Sequence, residues 1–538
     1  MSRAGWRALL APALIVLGAA ALRVWRLDAV PLGLHNDEAW TGIGARAVLR
    51  EGWVGPYLYP SGLGQPAGPV YLTALLFLVL PQTTFTLRLS MALLGVAAVA
   101  LTYGAVRAMF DRTTALFAAV LLAIMPWHLQ LSRTAFMVNA WPCIEMAVLW
   151  ALFRVRARPS AWGFAGVGVL IGVGIYTYNA YPLFLPVAAT PLAYDLIGAA
   201  PGVERRRQLK RIAIVAVAAL FAIGLMVDYA ARHEEYFWHQ HDVSVFFTDA
   251  WQAAPWPERI QMIATRGAEW GRGLLFGGRP DNGDGLGASG HPLLDPLTSS
   301  AALVGLVMAA RFWRRPACGV LLAAVIVLPL GALLTIEDGL YRRTLGLAPF
   351  IAVAAALPLA WIWQYAGHQR GVARMVLPAA IVLAVAGAAA RNAYAYFGPL
   401  QANEQIAYVF PYQIDAAARA LAQLPPDAAV FLYSERWGAR FETIKWFAPG
   451  RRVIDRSREF RKGNAAAAPL DLRIDPRRPN AFVLLGHYLD LVDTLRAQYP
   501  NARVEEGERD GELLYRIVRV DGRGDIPTRR APRTPHAR

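Results

Sequence analysis

Cysteine is nearly absent: the 538 residues hold two, Cys143 and Cys318, both inside apolar runs. Neither makes a metal-ligand spacing, which argues against a disulfide framework and a thiolate metal site. Charge is also scarce, at 17% of residues, with 38 acids against 54 Lys and Arg. No phosphate-cradling glycine loop and no dinucleotide fingerprint occurs, and no internal repeat is visible. The formal net charge of +16 does not mark a nucleic-acid binder. The arginines cluster in short segments between apolar runs and in the tail, without a basic face carrying interleaved aromatics.

What the chain has in abundance is apolar surface: 56% of residues are hydrophobic and the mean hydropathy is positive. Runs long enough to span a bilayer identify a polytopic α-helical membrane protein. Arg3 and Arg7 before an apolar core resemble a signal peptide, but no convincing small-residue cleavage site follows, so an uncleaved first helix is expected.

Twelve apolar segments stand at about 8–27, 66–82, 86–107, 113–130, 137–153, 162–178, 181–198, 211–229, 298–312, 317–336, 343–365 and 374–391. The positive-inside rule tests their parity. With 66–82 not crossing, Arg107 and Arg112, Arg154 to Arg158, Arg205 to Lys210, Arg311 to Arg315, and Arg370 with Arg374 all fall inside. If 66–82 crossed, every one of these clusters would lie outside. Eleven spans are therefore predicted, with 66–82 a juxtamembrane segment broken by Pro66, Pro69 and Pro81. The division follows: a membrane domain 1–397 with outer loops 28–85 and 230–297, an extracytoplasmic α/β domain 398–522, and a disordered Arg/Pro-rich tail 523–538. In the α/β domain, 428–433, 452–454, 481–485 and 511–520 read as strands, and 411–423 and 488–498 as helices.

This phase gathers the nearly membrane-level charges on the outer face. The first outer loop carries His35, Asn36, Asp37, Glu38 and Trp40. A carboxylate pair at a bilayer surface is costly to dehydrate and marks chemistry or ion handling; the plain alternative is an Asn36-Asp37 helix cap with a solvated Glu38. Ser132 and Arg133, Tyr176 to Tyr181, Glu337 with Asp338, and Arg342 with Arg343 share that face. Each has its bland reading. Arg133 could anchor the interface by snorkelling, Glu337 with Arg342 could be a surface pair, and the tyrosines could form an aromatic belt. Trp40 could stack on a sugar or sit at headgroup level. Clean apolar spans with charge at one face fit a surface enzyme better than a transporter with polar residues at mid-span. In the long loop, His233, His239 and His241 are either metal ligands or ordinary interfacial histidines, and Asp281 to Gly285 lacks the downstream Glu of a calcium loop. Residues from Ile260 to Phe276 read as an amphipathic surface helix.

Several short motifs occur together in order. They are His35-Asn36-Asp37-Glu38, Gln65-Pro66 with Pro69 and Tyr71, Leu87-Arg88 with Ser90, His128 to Arg133 with Asn139, Tyr176 with Tyr178, Pro292 to Asp295, and Glu337 with Arg342 or Arg343. On these residues the stretch of about 5–395 resembles the GT-C glycosyltransferases that use polyprenyl-phosphate sugars. The branch is glycosyltransferase family 39, which holds the protein O-mannosyltransferases and lipid A aminoarabinose transferases. The resemblance implies inverting transfer of a sugar from a polyprenyl-phosphate donor to a lipid, protein or glycan acceptor outside a bacterial inner membrane. It implies Asp37 as general base, with Glu38 positioning it or the acceptor. Arg133, Arg342 and Arg343 would meet the donor phosphate, and His35, Trp40, Gln65, Asn139, Tyr176, Tyr178 and Glu337 would line the substrate site. Gln65 stands where some relatives have Lys, and Asn139 where others have Asp, so a divalent metal is left open, no metal requirement is carried over and no cofactor is certain. The alternatives to an enzyme of this kind are a lipid or polysaccharide transporter, an O-antigen-type ligase, or a scaffold binding a partner through 398–522.

Overall fold

The computed structural model describes residues 3–58, 64–233, 243–277, 291–336, 341–460 and 469–522. Its contacts divide the chain into two compact units. One comprises Met1–Pro31 and Gly44–Val409; the other joins Leu32–Ile43 to Phe410–Arg538. The boundary thus takes residues 32–43 away from the neighbouring membrane helices in sequence and groups them with the C-terminal part. Helix Asn36–Glu51 contains the second of the three breaks.

The first unit is built from helices. Thr84–Met109, Met137–Ala157, Pro316–Leu333, Leu347–His368 and Ala373–Ala402 are each long and apolar enough to cross a membrane. Arg112–Ile124 with Pro126–Ser132, and Val203–Ala222 with Gly224–Arg232, form two further runs bent by 60° and 52°. Shorter apolar helices include Leu9–Val24, Ala161–Gly174, Tyr181–Ile197 and Pro296–Arg311. The chain is a multi-pass membrane protein. The segment predicted at 66–82 contains helix Gly68–Val79, only 12 residues long and started by Pro69. It is preceded by a two-strand hairpin, β1 (Tyr57–Leu58) and β2 (Gln65–Pro66).

Helix starts follow local chemistry. Asp111 accepts from the backbone N–H of Thr113 and Thr114 and from the Thr114 hydroxyl. Asp295 likewise caps Pro296–Arg311 through Thr298. Each satisfies N–H groups that a helix leaves orphaned. The bend at Met125 has a similarly local cause, since Pro126 opens the next short helix and has no N–H to continue the first. Small residues let helices approach closely. A Cβ on Gly305 would lie 1.8 Å from the Ala354 carbonyl oxygen, and one on Gly168 would lie 2.3 Å from that of Val215.

The second unit carries a five-stranded sheet ordered β4-β3-β5-β7-β6: β3 is Ala429–Tyr433, β4 Val453–Asp455, β5 Pro479–Leu484, β6 Arg503–Arg509 and β7 Glu512–Asp521. β3 runs parallel to β4 and β5, while β7 is antiparallel to β5 and β6. Alternation fills both faces. Val430 and Leu432 pack with Ile414 and Leu421 of helix Tyr412–Ala422, whereas Phe431 and Tyr433 pack with Val492 and Leu495 of helix Leu491–Gln498. β6 escapes a hydrophobicity reading because its sequence is RVEEGER; it is held to β7 by the ladder and by Glu506–Arg516 (2.7 Å) and Glu505–Arg519 pairs.

Replacing Gly305 by Ala forces the facing helices apart and lowers stability by about 1–3 kcal/mol. Gly166→Ala, whose Cβ meets nothing within 4 Å, holds or raises it. Melting of the two variants in detergent, read by thiol-reactive or light-scattering thermal shift, distinguishes these signs.

Candidate functional site

In the second unit, the acidic motif forms the first turn of helix Asn36–Glu51. The backbone N–H of His35 donates to Glu38 Oε2 at 3.0 Å, and that of Asp37 donates to His35 Nδ1 at 3.0 Å. This is the reciprocal arrangement of a capping box, with His35 in the place of the usual Ser or Thr. His35 Nδ1 accepts here, so the neutral ring carries its proton on Nε2. Glu38 is fully buried and its carboxylate is spent on the helix start. The Asn36-Asp37 cap considered from sequence is therefore replaced by a His35–Glu38 cap. Asp37 joins that exchange through its N–H, while its carboxylate, 28% exposed and with Oδ2 4.0 Å from His35 Nδ1, stands one residue into a helix, where the positive end of the dipole favours it. Its carbonyl oxygen accepts from the Thr41 hydroxyl at 3.0 Å.

The same segment is pinned by residues far along the chain. Thr443 Oγ1 donates to the Leu34 carbonyl at 3.3 Å, and the His35 and Phe410 rings lie 5.9 Å apart, edge to face. Gly33 and Gly42 are glycines because a Cβ would strike the 410–412 backbone at 2.6 Å or the Trp446 ring at 2.5 Å. Trp40 is buried.

In the first unit, Arg133 is fully buried. Its guanidinium donates to the carbonyls of Leu22, Arg23, Trp25, Arg26 and Val30 at 2.7–3.4 Å, and lies 4.8 Å from the centre of the Phe397 ring. In this structure Arg133 clamps the chain leaving the first helix. Arg88, also fully buried, adds bonds to the carbonyls of Leu27 and Pro31 at 3.2 and 2.8 Å. Arg23 donates to the Ala19 and Ala123 carbonyls and pairs with His128 Nδ1 at 2.7 Å. Sequence reading noticed Arg88 and His128 only within motifs and missed Arg23; an arginine inside a predicted apolar span was the available signal.

Asn139 is likewise bonded to main-chain carbonyls. Its amide donates to the Leu131, Thr134 and Phe136 carbonyls at 2.7–3.3 Å, which closes the turn carrying Arg133. The Arg342 guanidinium lies over Phe136 of that turn, 4.9 Å from the ring centre, and Arg343 follows it in the short helix Arg342–Thr344. Tyr178 stacks on Trp141 at 6.0 Å. Tyr176 is a strut, its hydroxyl donating to the Ala222 carbonyl at 3.0 Å and its own carbonyl accepting from Gly68 N–H. Gln65 belongs to the β1–β2 hairpin, opposite Leu58. Glu337, Asp338, His239, His241, Asp281 to Gly285 and the tail from 523 lie outside the described residues. His233 stacks on Tyr229 at 4.1 Å. Among the described residues no group of three or more His, Cys, Asp or Glu stands together as a metal site.

With this arrangement in view, comparisons with solved structures decide the architecture. ArnT from Cupriavidus metallidurans in the apo state superposes over 96% of this chain and 98% of its own, with TM-score 0.54 and 14% identity. The fold is GT-C. A GT-C oligosaccharyltransferase from Archaeoglobus fulgidus matches over 84% of this chain and 64% of that one, with TM-score 0.53 and 16% identity. In sequence, the family model of dolichyl-phosphate-mannose-protein mannosyltransferases matches residues 64–228. An undecaprenyl phosphate-α-4-amino-4-deoxy-L-arabinose arabinosyl transferase of Pseudomonas fluorescens is 25% identical over 256 residues. That alignment takes in 44% of this chain and 42% of the relative, so the chain spans less than half of the curated relative's length.

Loss of the Arg133 guanidinium strands several buried carbonyls, each worth about 1–3 kcal/mol. Arg133→Met therefore destabilises the detergent-solubilised protein by roughly 3 kcal/mol or more, and Arg133→Lys rescues little because an ammonium cannot span five acceptors. Asp37→Asn, measured beside them, melts with the wild type.

Proposed function

We propose that the chain is an integral-membrane glycosyltransferase that moves a sugar from a polyprenyl-phosphate donor to an acceptor hydroxyl on the extracytoplasmic face, with inversion. The observation that carries this reading is Asp37. It is a partly exposed carboxylate in the first turn of a helix whose other acidic residue, Glu38, is committed to the cap. An ionised carboxylate in that position can take a proton from a hydroxyl.

The step balances simply. The acceptor oxygen attacks the anomeric carbon from the face opposite the phosphate, Asp37 takes the hydroxyl proton, and the carbon–oxygen bond to phosphate breaks with its electron pair leaving on the phosphate. One displacement inverts the centre. The leaving phosphate gains charge and needs fixed cations; with Arg133 assigned to the backbone, Arg342 and Arg343 are the arginines proposed for it. Trp40, Tyr178 and Gln65 stay proposed as substrate contacts, with His35 acting on Asp37 through its hydrogen bond to the Asp37 N–H. Glu337 keeps its proposed place in the same loop as Arg342.

The relatives support the donor class. A structure of ArnT from Cupriavidus metallidurans is bound to undecaprenyl phosphate, and AglB from Archaeoglobus fulgidus is in complex with an inhibitory peptide and a dolichol-phosphate. For topology we propose eleven spans in a bacterial inner membrane, counting each bent pair once and leaving Gly68–Val79 at the surface, with the α/β domain of 398–522 outside.

Asp37→Asn lowers transfer or slow donor hydrolysis by roughly 10²–10⁴-fold, the usual contribution of a general base. Glu38→Gln keeps the cap, because Gln Oε1 still accepts from the His35 N–H, and changes rate and stability little, whereas Glu38→Ala removes that acceptor and costs about 0.5–2 kcal/mol of stability. Purified protein in nanodiscs, given a panel of radiolabelled polyprenyl-phosphate sugars, measures both; turnover by Asp37→Asn at the wild-type rate would remove Asp37 from its role.

A further inference from the structure

A second cluster of chemically capable side chains lies in the first unit, between the loop before the hairpin and helix Gly224–Arg232. Trp53, Val54, Gly55, Pro56, Tyr57 and Leu58 form one wall of an open cleft, and Leu225, Asp228, Tyr229, Arg232 and His233 the other. Its volume is about 530 Å³, inside the roughly 300–1,000 Å³ found for ligand pockets.

One wall of the cleft is braced by hydrogen bonds. The Trp53 ring stacks on Tyr71 at 5.2 Å with 18° between planes, and the Tyr71 hydroxyl accepts from Val54 N–H and donates to the Gly55 carbonyl, at 3.0 and 2.9 Å. Tyr57 donates to Asn179 Oδ1 at 3.3 Å, and the Asn179 amide donates to the Gly64 carbonyl at 2.8 Å. Across the cleft, Tyr57 and Tyr229 face one another at 5.9 Å, and Tyr229 stacks on His233. Asp228 and Arg232, one helical turn apart, pair at 2.7 Å on the same wall. Trp53 nonetheless remains 62% exposed.

We propose that this cleft is a saccharide-binding site. A sugar ring offers an apolar C–H face and a rim of hydroxyls that both donate and accept. Fixed aromatic faces suit the first, and a carboxylate beside a guanidinium suits the second, taking two hydroxyls as acceptor and donor. The charges argue against an anionic headgroup: Asp228 neutralises Arg232, so the wall presents a balanced pair and not a bare cation. They also argue against a plain lipid tail, which makes no use of an ion pair. An aromatic belt needs no bracing by Tyr71 and Asn179. The sugar could be part of the donor or of the acceptor; its assignment to either rests on the transferase reading, while binding itself does not.

The test is saturation-transfer NMR on the full chain in nanodiscs, with glucose, mannose, galactose and N-acetylglucosamine as probes. At least one sugar receives saturation, and Trp53→Ala weakens that binding roughly tenfold, the size of one lost aromatic contact of about 1.4 kcal/mol. Asp228→Asn, at an exposed position where folding is safe, weakens it as well. In a transfer assay a rise in KM confined to the donor or to the acceptor names the source of the sugar. No saturation of any probe, or saturation unchanged in both variants, overturns the proposal. Asp37→Asn keeps the saturation signal, so a failed transferase reading leaves this test intact.

Discussion

Buried guanidinium groups bonded to main-chain carbonyls are the constraint on which the membrane unit turns. Arg133 and Arg88 between them take seven carbonyl contacts from Leu22 to Pro31. That stretch leaves a helix through turns whose own bonds use the Val24 and Arg26 carbonyls but leave others to the arginines; buried without donors, each would be costly. Arginine suits this task because its fork of N–H groups reaches several oxygens at once and keeps its charge. Asn139 then closes the turn that presents Arg133, and Phe397 covers the guanidinium face. One polar network fixes the exit of the first helix, which is the start of the tether to the acidic loop.

Within the other unit, the acidic loop shows how a pair of adjacent acids acquires two different tasks from backbone geometry alone. At the third position of a helix a carboxylate can fold back onto the N–H before the helix, and Glu38 does so. At the second position it cannot, and Asp37 stays turned to a more accessible side. Adjacent identity in sequence therefore conceals a division between structure and chemistry. The proposed mechanism relies on that division, since a base committed to a cap would have to break it to take a proton.

Much of the architecture was legible because its cause is simple. Apolar runs, proline breaks and the distribution of arginine mark helices, and alternating residues such as Val430 to Tyr433 mark strands. The charged strand β6 was not legible, because its stability comes from cross-strand ion pairs and a partner ladder. The site was legible in part. Asp37 and Glu38 were visible as a pair, but not which of them the helix start would consume. Arg133 and Asn139 entered the sequence reading through a family resemblance, to the donor phosphate and the substrate site; the carbonyls they bond to come from backbone that no local pattern reveals. The aromatic cleft at Trp53 and Tyr229 joins segments about 170 residues apart, and nothing in either segment points to the other.

The grouping of residues 32–43 with the C-terminal sheet has a bearing on biosynthesis. Leu34 is met by Thr443, 409 positions later, and Gly33 and Gly42 are shaped to residues 410–412 and Trp446. During translation the first helix enters the bilayer long before any of those partners exists. The sheet that carries them places β7, its last strand in chain order, between β5 and β6, so it is unfinished until that strand arrives. A polypeptide released early could own every apolar span and still lack the surroundings that seat its acid. Incomplete products would then lack the contacts that fix the start of helix Asn36–Glu51.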